Sequence, residues 1–103
     1  MAALNAAISS TASTGHGCWP SRLPQGPYSV KTTIQGLPVI LTGLSRYISH
    51  TCLLITHAGV QRIVSTGSLK VTIEGLPVAR TTDSIACGDK IGLIGASTKV
   101  FIG

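Results

Sequence analysis

One phrase occurs twice in this chain: Thr33-Ile34-Gln35-Gly36-Leu37-Pro38-Val39 returns as Thr72-Ile73-Glu74-Gly75-Leu76-Pro77-Val78, a shift of 39 residues. In a chain of 103 residues, units of this size are too small to bury separate cores, so they must share one. A second phrase, GSLKVTIE at 67–74, is echoed by ASTKVFIG at 96–103. Laid over each other, the two alignments give about three units. The first is truncated and ends near Trp19, the second runs from about Val30 to His57, and the third from about Val71 to Cys87, with a last strand closing the chain. Three related units imply approximate three-fold symmetry within one chain.

The units read as strands. Val71 and Ile73 alternate with Thr72, and Val100 and Ile102 with Phe101, which places the β-branched residues on one face. Gly36 and Gly75 can take the positive φ of a tight hairpin turn, and Pro38 and Pro77, which have no N–H for a ladder, belong at turns or strand starts. No capped helical stripe of ten or more residues occurs. The expected architecture is all-β, built from short antiparallel hairpins in one domain, residues 1–103, with no extension domains.

After each unit comes a polar loop that carries a metal-capable side chain: His16 and Cys18 in TGHGC, His50 and Cys52 in ISHTC, and Cys87 in IACG, with His57 just beyond the second. Approximate three-fold repetition brings equivalent loops to one end of the molecule, so His16, His50 and Cys87 converge there. If His57 joins them, the set is three imidazoles and a thiolate, which suits tetrahedral zinc and leaves no open position for a substrate water. Iron suits the same donors. Cys18 and Cys52 each follow a histidine by two residues, which on an extended segment puts both side chains on one face. They read as packing beside the ligands or supporting them, or as alternative ligands in place of a histidine. Three cysteines are an odd number, and a cytoplasmic chain keeps its thiols reduced, so a disulfide framework does not explain all three.

Composition narrows the function. Charged residues are 11 % of the chain, well under the usual quarter, so part of the surface is expected to be covered by a partner. The net charge of +5 comes from cations spread singly with few aromatics between them, which is not the pattern of a nucleic-acid groove. Glu74, Asp83 and Asp89 are the only carboxylates, which leaves little for general acid–base work. Asp83 reads as the partner of Arg80, an ion pair bracing the turn that leads to Cys87. The chain has no secretory leader pattern and no long apolar run, so synthesis in the cytoplasm is expected.

Gly75-Leu76-Pro77-Val78-Ala79-Arg80, then Asp83, Ala86-Cys87-Gly88 and the closing Ser97-Thr98-Lys99-Val100-Phe101-Ile102-Gly103 resemble the PAAR-repeat proteins. Ser13-Thr14-Gly15-His16-Gly17-Cys18 resembles that family's first loop, and Ser49-His50-Thr51-Cys52 with His57-Ala58-Gly59 its second, so the resemblance spans essentially the whole chain. It departs in the namesake motif, which reads Val39-Ile40-Leu41 in one unit and Ala6-Ala7-Ile8 in another, without the Arg and Asp of the third.

The resemblance implies a small cone of hairpins, stapled near its tip by a metal on His16, His50, His57 and Cys87. Such a cone caps the trimeric β-helical spike, VgrG-like or a phage central spike, of a contractile phage tail or a type VI secretion system. The function it implies is structural, not enzymatic: the tip sharpens the spike, touches the target cell envelope transiently, and in some systems travels with effector proteins. The alternatives are a zinc-stabilised module binding nucleic acid or protein, and a Cys–His hydrolase.

Overall fold

A computed structural model describes residues 4–52, 55–57 and 62–103. Among these there is no α-helix, and the ordered elements are ten strands of two or three residues. β3 (Thr33–Ile34) pairs with β4 (Leu37–Pro38), and β8 (Thr72–Ile73) with β9 (Leu76–Pro77), each in antiparallel register. The turns between them are Gln35-Gly36 and Glu74-Gly75, with φ of 53° and 79° in one and 54° and 82° in the other. Positive φ at both central residues is the two-residue turn whose twist matches that of the strands it joins.

The third hairpin of this kind is made from the two ends of the chain. β1 (Leu4–Asn5) pairs with β10 (Phe101–Ile102), Leu4 opposite Ile102 and Asn5 opposite Phe101. The first unit is therefore not truncated at its hairpin: the closing strand supplies the half that it lacks.

Between the hairpins lies a layer with closed three-fold hydrogen bonding. Ala7 N–H donates to Ala79 O (3.0 Å), Ala79 N–H to Ile40 O (3.1 Å) and Ile40 N–H to Ala7 O (3.1 Å), a ring of three equivalent positions. A second ring runs from Ser9 to Pro38 O, Thr42 to Pro77 O and Thr81 to Asn5 O, and within each unit an equivalent bond closes the base of the hairpin: Ser29 to Val39 O, Ser68 to Val78 O and Ser97 to Ala6 O. No strand here is long enough to be stable by itself. The rings satisfy the buried backbone of all three units at once, so the units order together.

Strand alternation sorts the apolar side chains onto the two sides of this layer. Ala6, Ile8, Val39, Leu41 and Val78 pack with Ile34 and Ile102 toward the hairpins, while Ala7, Ile40 and Ala79 pack with Tyr47, Val64, Ile85 and Ile91 on the other side, where Cys87 also lies. On that second side, β2 (Pro24–Gly26) pairs with β5 (Arg46–Tyr47) and β6 (His50–Cys52) with β7 (Ile55–His57). The molecule extends 37 × 25 × 23 Å.

In the third unit Asp83 accepts from the Arg80 N–H (2.8 Å) and forks onto the Arg80 guanidinium at 3.0 and 3.1 Å. The first two units lack both residues. There Thr11 Oγ1 accepts from Ile8 N–H and Ser45 Oγ from Leu41 N–H, each at 2.9 Å, so a hydroxyl braces the same turn without an ion pair.

Candidate metal centre

Three loops build the site. In the first, His16 and Trp19 exchange backbone hydrogen bonds, 3.0 Å from His16 N–H to Trp19 O and 2.8 Å in return, across the turn Gly17-Cys18. The chain then folds back so closely on Gly15 that a Cβ there would lie 2.7 Å from Ser21 N and Trp19 O. The φ of Gly15 is +75°, so only glycine fits comfortably.

The second loop is the β6–β7 hairpin, in which His50 and His57 stand directly opposite each other. Cross-strand partners share a face at short Cβ separation, and His50 Nε2 lies 3.0 Å from His57 Nδ1. The third loop is the turn Ile85-Ala86-Cys87-Gly88-Asp89, closed by Gly88 N–H to Ile85 O (2.9 Å) and Ile85 N–H to Asp89 O (2.7 Å). It sets Cys87 Sγ 3.5 Å from His16 Nε2 and 3.8 Å from His50 Nε2.

The structure thus brings His16, His50, His57 and Cys87 together, one donor atom each and all within 4.8 Å of one another. Tetrahedral zinc with bonds of about 2.0 Å to nitrogen and 2.3 Å to sulfur needs N···N of about 3.3 Å and N···S of about 3.5 Å. The N···N separation of 3.0 Å and the N···S separations of 3.5 and 3.8 Å lie within about 0.3 Å of those values, so these donors suit a four-coordinate ion. The carbonyl of Pro20 lies 2.9 Å from His50 Nδ1; a proton held there leaves Nε2 free to face the centre. Burial, then the neighbouring His50 and His16, lower the pKa of His57. That keeps its ring neutral, the form a metal requires.

Cys18 and Cys52 stand elsewhere. Cys52 faces inward beside His50, and its sulfur is joined to that of Cys18 as a disulfide, with the Cα atoms 5.4 Å apart. This differs from a supporting or alternative-ligand role. The physical reason is the meeting of the two loops: Cys52 shares the face of His50 on β6, Cys18 stands in the turn just after His16, and the approach that brings these histidines together brings the two sulfurs together as well. Cys87 is the free cysteine, half-buried at the cluster.

Three residues the sequence reading did not single out complete the surroundings. Trp19 stacks on His57 with ring centroids 4.3 Å apart and on His16 at 5.0 Å, and its indole N–H donates to Ile55 O at 3.2 Å. It lies along two of the imidazoles as a lid. Arg22 and Asp89 form an ion pair, Nε to Oδ2 3.3 Å, with side chains 1 % and 0 % exposed. Arg22 Nη2–H donates to Cys87 Sγ at 3.1 Å. The one sequence signal for Asp89 is its position two residues past Cys87 in a chain with three acids.

A search of curated proteins finds no match. The PAAR-motif family model matches residues 23–93, well over half of the chain and including His50, His57 and Cys87. The chain belongs to the PAAR-motif family.

Proposed function

We propose that this protein, as a single unit over residues 1–103, is the pointed cap of a trimeric β-helical spike in a contractile injection machine, a phage tail or a type VI secretion system. The observation that carries the reading is the closed three-fold layer, with hairpins on one side and the donor cluster on the other. A monomer with internal three-fold symmetry can sit on a three-fold trimer so that each of its units meets one partner chain in the same way.

The hairpin side has the surface such a partner would cover. Val30 is 86 % and Leu69 99 % exposed, at equivalent places in SVK and SLK, with Thr98 third in STK. Exposed apolar side chains repeated with the symmetry of the fold mark an interface more than scattered ones do. Lys31, Lys70 and Lys99 follow them in the same three loops and are exposed.

The opposite end is the working point. There the imidazoles of His16, His50 and His57 and the sulfur of Cys87 would hold zinc, or iron on the same donors, as a structural crosslink between loops too small for a core. The role is mechanical: the tip stays folded while it is pushed against an envelope, and nothing is turned over. Effectors that travel with the spike would ride on its other surfaces.

The test is binding to a purified trimeric spike end. Association at micromolar concentration with one copy of this protein per trimer is the expected result. No association, or a stoichiometry of three per trimer, counts against the reading.

A further inference from the structure

The buried cation beside the donor cluster has a defined aim. Arg22 is held by its own N–H to Ser13 Oγ (3.0 Å), by Nη1–H to Ile48 O (2.9 Å) and by Nε beside Asp89 Oδ2 (3.3 Å). Asp89 is itself fixed, its Oδ1 accepting from Lys90 N–H (2.8 Å) and Thr14 Oγ1 (3.2 Å). The guanidinium also points Nη2–H at Cys87 Sγ, 3.1 Å away. The sulfur that ligates a metal is a thiolate, and hydrogen bonds to an ionised acceptor are the short, strong ones. A guanidinium buried to this extent is tolerated where negative charge faces it on more than one side, and Asp89 and the Cys87 sulfur provide two such faces.

We propose that Arg22, anchored by Asp89, is a positioning residue of the metal centre: it holds the Cys87 sulfur toward the three imidazoles and sets how much charge that sulfur gives the bound ion. The inference rests on the metal reading above. A hydrogen bond from a cation withdraws charge from a ligand sulfur and lowers the energy of its filled orbitals. Transfer of an electron from that sulfur to the metal then takes more energy, which is a spectroscopic signature that packing alone does not produce. Outer partners of this kind commonly orient and tune metal ligands.

The experiment uses cobalt(II) loaded into the full chain. The unaltered protein is expected to show a sulfur-to-cobalt charge-transfer band. Arg22→Met is expected to shift that band to lower energy, and Arg22→Lys, which keeps the charge and an N–H, to restore part of the shift. Asp89→Asn, which leaves Arg22 present but unanchored, is expected to shift it in the same direction as Arg22→Met. If the unaltered protein binds no cobalt or shows no sulfur band, the metal reading fails and the proposal with it. If the band is present and stays in place in Arg22→Met and Asp89→Asn, the proposal alone is overturned. Should both variants fail to fold, the zinc form of the unaltered protein decides by NMR. A distinct Arg22 Nη proton that moves when cadmium replaces zinc supports the proposal, and guanidinium protons unaffected by the exchange overturn it.

Discussion

His57 and Cys87 come from two loops that no strand pairing joins directly, yet their donor atoms lie within 4.8 Å. If an ion supplies the missing tie, removing either ligand should cost both the ion and the fold's rigidity. His57→Ala and Cys87→Ala are expected to drop metal content from about one ion per chain to a small fraction, read by plasma mass spectrometry. Each should lower Tm by more than about 10 °C, since binding to a structural site is folding free energy and each kcal/mol moves a domain of this size by about 4–8 °C. The convergence of His16, His50 and Cys87 was legible in the sequence because the repeat set their positions, whereas His57 is placed by its strand pairing opposite His50. Arg22 and Asp89 were not, because a charged residue carries no sign in sequence that it will be buried against another. Thr11 and Ser45 were hidden for a different reason: a hydroxyl takes over the backbone half of the work that Asp83 does beside Arg80, and nothing in their spacing resembles an ion pair.

At the scale of the hairpin, stability comes from neighbours. The turn residues Gln35 and Glu74 occupy matching positions with positive φ, and each reaches into the loop of another unit. Gln35 Oε1 accepts from Ser97 Oγ (2.6 Å) and Thr98 N–H (2.9 Å), while the Glu74 carboxylate accepts from Val30 N–H (2.9 Å) and Lys31 N–H (2.9 Å). The repeat TIQGLPV and TIEGLPV made both hairpins legible, but these links depend on three-fold closure and could not be read from one unit. The bonds from Lys31 and Val30 hold the Glu74 carboxyl below its ordinary pKa. A carboxyl depressed by folding adds stability above its unfolded value, about 4.3, and loses that contribution as pH falls through the lower folded value. Glu74→Gln should therefore be less stable than the unaltered protein at pH 7, with the difference disappearing as pH falls through the lowered pKa of the folded state. Denaturant midpoints of the two proteins across that range check it. Acid release of a metal is common to both and cancels in the comparison.

For the molecule as a whole, the chain's ends fall at a symmetric place. Ile102 opposite Leu4 repeats the pairing of Ile34 with Leu37 and of Ile73 with Leu76, so Gly103 stands where Gln35 and Glu74 stand in the other hairpins. In sequence this unit looks truncated because its two strands lie far apart along the chain, a pairing that local pattern cannot reveal. The consequence is that one of the three hairpins folds without a covalent turn, and the break should be movable. A permuted chain in which Gly103 is joined to Leu4 through a single glycine restores a two-residue turn there, with glycine free to take positive φ. New ends can then be opened between Gln35 and Gly36, where a Cβ at Gly36 would meet no atom within 4 Å. The permutant still has one open hairpin and two closed ones, in a different unit. It is expected to fold cooperatively, bind about one metal ion per chain, and differ in Tm by only a few degrees. If the three-fold layer is the element that organises the fold, the choice of interrupted hairpin is nearly indifferent. A permutant that fails to fold or to hold metal would show that the units, though alike in hydrogen bonding, are ordered by one hairpin in particular.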